Sequence, residues 1–120
     1  MPAKTGKELI EDARARIREV TPQDVMQMQA RREPVVLLDV RDHTEWSAGH
    51  IPNAIHITRG TLEGKVESVI PRAERIVVYC ASGNRSALAA ETLQQMGYMD
   101  VASMAGGIRG WMAAGGPVQG

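Results

Sequence analysis

Two apolar runs without polar interruption lie along the chain, Val35-Val-Leu-Leu ahead of Asp39 and Ile76-Val-Val-Tyr ahead of Cys80. Both have the length of a strand and are rich in β-branched residues. Runs that do not alternate bury both faces, as strands do in a parallel sheet covered by helices. Ala54–Ile57 and Asp100–Met104 are shorter strand candidates. Between them the pattern changes to a helical period. Leu62–Ile70 reads as a short helix stopped by Pro71, and Ser86–Met96 as a longer one that Gly97 terminates. A short helix follows Gly106-Gly107 and runs through Trp111. Strands separated by helices mean βαβ units, hence an α/β fold with a parallel sheet.

The N-terminal part reads as helical. Thr5-Gly-Lys-Glu8 is a capping box, in which hydroxyl and carboxylate each satisfy a free backbone donor. Leu9, Ala13 and Ile17 fall at helical spacing and form an apolar face. A second helix starts at Thr21-Pro-Gln-Asp24, with Thr21 as cap, Pro22 at the first helical position, and Val25 and Met28 facing inward.

Composition narrows the picture. The 120 residues fit one domain with a core of its own. Fourteen Lys plus Arg balance fourteen Asp plus Glu, so the basic excess expected of a nucleic-acid binder is missing. The N-terminus shows neither a long apolar run nor a signal cleavage pattern, so no membrane partner is expected. The single cysteine cannot form an internal disulfide or a thiolate-rich zinc site, and it fits a reducing cytoplasm. The seven methionines read as core filler in a chain without phenylalanine.

The chemistry is concentrated in Cys80-Ala81-Ser82-Gly83-Asn84-Arg85-Ser86, where a buried strand ends and a helix begins. Ligands bind at such ends in open α/β sheets. A helix N-terminus offers unpaired N–H groups and partial positive charge, and a turn of inward-pointing N–H groups forms an anion nest. Gly83 suits that turn. A thiolate held there is a nucleophile at neutral pH, and a terminal persulfide, also an anion, would fit the same cradle. Position alone leaves the alternative of a buried cysteine acting as a small hydrophobe.

The segment resembles the active-site loop of rhodanese-like sulfurtransferases. Asp39-Val-Arg41, Glu45 and Gly49-His-Ile-Pro-Asn-Ala-Ile55 resemble the family's upstream signature, and Gly106-Gly-Ile-Arg-Gly-Trp111 its C-terminal one. The ordered set covers residues 19 to 114. The resemblance implies a rhodanese-like fold, a five-stranded parallel sheet with helices on both faces. It divides the chain into an N-terminal helical extension (1–18) and a rhodanese domain (19–116), after which the Gly-Gly-Pro composition predicts a frayed tail (117–120). It implies a two-step reaction without metal or organic cofactor. Cys80 takes a sulfane sulfur from a donor such as thiosulfate and yields it to cyanide or a thiol, including that of an acceptor protein.

Among the remaining polar residues, Asp39 is the expected partner of Arg85, because both stand at carboxyl ends of strands in one sheet; the pair would brace the loop. Ser82 could donate to a bound substrate, and Ser86 starts a helix with its hydroxyl near the persulfide. Arg41, Arg59 and Arg109 read as solvated surface residues. His50 reads as a turn brace, and Trp46 and Trp111 as packing residues. The extension is expected to pack on its own domain, the alternatives being a lid or self-association through Leu9, Ile10 and Ile17. Two rival functions remain. Phosphatases and arsenate reductases of the related fold have five residues between Cys and Arg, against four here. The other rival is a non-turnover module, a sulfur carrier or a partner-binding rhodanese fold; partner-binding modules commonly lack the cysteine, which this chain retains. Neutral Ala81 and Ser82 weaken the case for thiosulfate as preferred donor, since thiosulfate-preferring members often carry basic residues there.

Overall fold

The computed structural model describes residues 3–120. Five parallel strands run β1 (Arg18–Val20), β2 (Val36–Asp39), β3 (Ile55–His56), β4 (Ile76–Tyr79) and β5 (Val101–Met104), in the spatial order β1-β5-β4-β2-β3. The helices are α1 (Gly6–Arg16), α2 (Pro22–Ala30), α3 (His43–Ala48), α4 (Leu62–Val69), α5 (Asn84–Gln95) and α6 (Gly107–Ala113), with a 3-10 turn at Arg59–Thr61.

The central strands bury both faces, as their unbroken apolar runs require. Leu38, Val78 and Cys80 face a core completed by Leu62 and Val66 of α4 and Ala89, Ala90 and Leu93 of α5. Leu37, Val77 and Tyr79 face the opposite core, with Val25 of α2 and Ile108 and Trp111 of α6. Each face therefore has its own apolar layer, and the chemistry collects where β4 ends.

Several elements differ from the sequence reading. β1 is a three-residue edge strand on β5 with Arg18 and Glu19 exposed and Val20 alone buried, too short and too charged to show a strand pattern. Because it begins at Arg18, the expected domain boundary at 18/19 cuts a strand. α3 was not expected, although Asp42-x-x-Glu45 is a capping box that announces it. α5 starts at Asn84, two residues earlier than expected, which puts Arg85 and Ser86 in its first turn.

In α1, Ala13 is fully buried but Leu9 is exposed, and half-buried Ile17 lies past the helix end as its C-cap, so the apolar face is narrower than the spacing suggests. Of the methionines, Met104 is fully buried and Met26, Met28 and Met96 partly; Met99 and Met112 are exposed. The expected frayed tail is tied down. Gln119 and His50 exchange two backbone hydrogen bonds of 2.8 Å, and Trp111 Nε1 donates to Pro117 O at 2.8 Å. No helix among the described residues is long and apolar enough to cross a membrane.

Candidate active site

Cys80 follows β4 directly, with its side chain in the α4–α5 core and its residue surface 1% exposed. The chain turns at Gly83, whose φ of +108° is in the left-handed region, and enters α5. That turn aims donors at the sulfur. Gly83 N–H donates to Cys80 Sγ at 3.1 Å and Ser86 N–H at 3.4 Å. Ser86 Oγ is also 3.4 Å from the sulfur and 2.8 Å from Ser103 Oγ of β5, and both serines are fully buried. Burial pushes the Cys80 thiol up. The Ser86 hydroxyl and the N–H groups of Ser86, Gly83 and Ser82 outweigh it and hold the thiol below its ordinary value.

The loop is buttressed from behind by the start of α6. Ile108 N–H donates to Cys80 O at 2.8 Å and Arg109 N–H to Ala81 O at 3.2 Å. Gly107, at φ +58°, makes this approach possible. A Cβ there would stand 2.4 Å from Cys80 O and 2.5 Å from the Ala81 carbonyl carbon. The Gly-Gly pair was visible in the sequence, but its use as a backbone contact depends on how α6 docks.

The expected Asp39–Arg85 brace is not formed. Asp39 instead holds Arg41, accepting from its backbone N–H at 2.9 Å and from its Nη2 at 2.8 Å. Arg41 is 6% exposed, not a solvated surface residue, and its Nη2 also donates to Gly49 O at 2.6 Å. A guanidinium two residues along the chain reaches the buried carboxylate before any group on another strand can. Arg85 pairs with Glu45 of α3 in a two-pronged contact, Nη1 to Oε1 at 2.6 Å and Nη2 to Oε2 at 2.9 Å. That pairing, with help from the Asp42 N–H, holds the Glu45 carboxyl below its usual range against the opposing effect of burial. The carboxylate that braces the loop thus sits on the one helix the sequence reading did not include.

Of the other loop residues, Ser82 and Asn84 are exposed and Ala81 is half-buried. Arg109 is exposed and Arg59 pairs with Glu63. A cavity of about 330 Å³ opens against Ala81, walled by Glu45, Ile108, Arg109 and Met112. A larger one of about 450 Å³, between Arg32, Asn53 and Trp111, shares no residue with the loop. His50 Nδ1 lies 3.0 Å from Trp46 O and the two rings stack at 3.5 Å, a turn brace rather than a partner for sulfur. No group of three His, Cys, Asp or Glu side chains among the described residues is placed to hold a metal ion.

This geometry has relatives. A sulfurtransferase of Allochromatium vinosum is 34% identical over 102 residues, covering 85% of this chain and 94% of that protein. The thiosulfate sulfurtransferase GlpE of Coxiella burnetii is 31% identical over 83 residues, 69% of this chain and 77% of that one. Some curated relatives are longer, and the chain spans 57% and 22% of two of them. Among solved structures, a Rhodopseudomonas palustris protein described as of unknown function and a possible tyrosine phosphatase has a TM-score of 0.86 at 36% identity. That match covers 99% of both chains. The sequence model of the rhodanese-like domain matches residues 21–114, which contain the sheet from β2 to β5, the Cys80 loop and the α6 buttress. The chain belongs to the rhodanese-like family, among whose members here are sulfurtransferases.

Proposed function

We propose that the protein is a sulfurtransferase that carries sulfur as a persulfide on Cys80. The observation that supports this most is the convergence of the Gly83 and Ser86 N–H groups and the Ser86 hydroxyl on one sulfur atom. Such a cradle stabilises an anion without a general base. The Cys80 thiolate attacks the outer sulfur of a donor such as thiosulfate, forming a Cys80 S–S bond. The donor's own S–S bond breaks and sulfite leaves with the electron pair. A thiolate or cyanide then attacks the terminal sulfur, and the Cys80 thiolate is the leaving group. The step is balanced without metal, cofactor or external oxidant.

Ala81 and Ser82 bring no positive charge to the loop. A persulfide, a polysulfide or mercaptopyruvate therefore stands beside thiosulfate as donor, with Ser82 exposed to meet it. The acceptor is a small thiol, cyanide or the thiol of a partner protein, and we place the reaction in the reducing cytoplasm.

Intact-mass spectrometry after incubation with each donor is the test. A gain of one sulfur, about 32 Da, is expected in the native protein and absent in Cys80→Ser, because the thiolate is the acceptor. No adduct with any donor would overturn the reading. The description of the Rhodopseudomonas palustris structure favours a second reading, phosphoester hydrolysis. Four residues rather than five separate Cys80 from Arg85, and Arg85 is already engaged by Glu45, which leaves it poorly disposed to hold a phosphoryl group. Cys80-dependent turnover of an aryl phosphate would reverse that preference.

A further inference from the structure

We propose that Arg14, on the N-terminal helix and outside the matched family domain, is a positioning residue for the Cys80 loop. The inference rests on Cys80 being the reactive group. α5 has no side-chain cap of its own, since its N-cap is Gly83. The N-cap and first turn of α5 nevertheless supply the N–H groups that hold the sulfur, so their register must be set from outside. Glu45 grips Arg85 from α3, and α6 grips the Cys80 and Ala81 carbonyls. On the remaining side, Arg14 Nη2 donates to Asn84 Oδ1 at 2.7 Å.

Asn84 lies between Gly83 and Ser86, the two residues whose N–H groups reach Sγ. The same Arg14 nitrogen would be 3.5 Å from a Cβ placed on Gly83, so it lies against the turn itself. Arg14 is in turn held in place. Its Nε is buried without a hydrogen-bond partner among the described residues, 3.8 Å from the Glu19 carboxylate of β1. Arg16 joins α1 to α5 further along, through Glu91 at 3.0 Å. A guanidinium stationed between α1, β1 and the loop restrains Asn84 and adds positive charge beside the α5 N-terminus, where an anionic sulfur benefits from it.

The test follows the pH dependence of Cys80 alkylation by iodoacetamide in the full chain, alongside thermal unfolding. In Arg14→Ala the alkylation curve moves to higher pH, with about threefold slower reaction on its acid limb, as loss of a charge-assisted hydrogen bond next to a thiolate cradle predicts. Arg14→Lys recovers most of that loss. Asn84→Ala reproduces it, and the Arg14→Ala/Asn84→Ala pair loses no more than the larger single effect. Native alkylation curves in both single variants, or fully additive losses in the pair, would overturn the proposal, whatever the melting temperatures. An Arg14-dependent alkylation curve in a protein that accepts no sulfur would uphold this inference and overturn the sulfurtransferase reading alone.

Discussion

Helices α1, α2 and α3 carry their own N-terminal caps, whereas the turn into α5, beside Cys80, is restrained by four other elements, α1, α3, α6 and β5. In the first group the cap and its carboxylate partner are three residues apart. Thr5 with Glu8, Thr21 with Asp24 and Asp42 with Glu45 each exchange two hydrogen bonds. Those helix starts consume their own free N–H groups. At α5 the N–H groups are left for the sulfur, and no side chain competes for them. A helix start that must bind a ligand cannot also cap itself, so its geometry passes to Glu45, to Ser103, to the start of α6 and, by our inference, to Arg14.

The largest expected consequence of that division is at Gly107. Gly107→Ala would force a Cβ into the Cys80–Ala81 backbone, which cannot yield as a side chain could. A cost of about 3 kcal/mol and loss of sulfur uptake are expected, read by thermal unfolding and intact mass. Gly6→Ala is the control. At Gly6, in the self-capped α1, a Cβ meets nothing within 4 Å, and the melting temperature should hold or rise slightly. A Gly107→Ala protein that melts and reacts like the native one would show that the start of α6 does not buttress the Cys80 loop.

Glu45→Gln tests the bracing pair. The two side chains are 39% and 29% exposed, so screening limits the loss to about 1 kcal/mol. The pair also has a pH signature. Arg85 depresses the Glu45 carboxyl in the folded chain, so its contribution is complete above the unfolded carboxylate range and lost as pH falls through the folded value. Urea unfolding of both proteins from about pH 7 to about pH 3 should show the native advantage shrink towards the acid end. An advantage that does not change with pH would mean that packing rather than charge joins α3 to the loop.

Thr5→Ala has the smallest expected reach. Loss of a capping box should cost about 1 kcal/mol of stability. Alkylation of Cys80 should be unaltered, because Arg14 lies at the other end of α1. Slower alkylation in Thr5→Ala would show that α1 transmits strain along its length, and the contrast between self-capped and borrowed helix starts would weaken.

Legibility in the sequence follows the same division. The capping boxes of α1 and α2, the two-faced strands β2 and β4 and the nest after Cys80 are all encoded within a few residues, and each was readable. α3 is equally local, announced by Asp42 and Glu45, but its six residues carry no buried side chain to mark a period. β1 was not readable, since an edge strand with one inward residue has no alternation to show. Strand ends alone point Asp39 and Arg85 at each other. A buried carboxylate takes the nearest guanidinium its backbone allows, and that was Arg41, two residues away.

By itself, then, the sequence determined the α/β class, the two-sided burial of the central strands and the position of a lone cysteine at a strand-to-helix turn. These depend on periodicity, propensity and covalent neighbours, which act over one or two turns of chain. Only the tertiary structure decided what holds that turn in shape. Glu45, Ser103, the start of α6 and Arg14 reach Cys80 or its loop from 17 to 70 residues away in hydrogen bonds such as Ser86–Ser103 and Arg14–Asn84. Contacts at that separation exist only once the sheet order β1-β5-β4-β2-β3 has brought their elements to one end of the sheet.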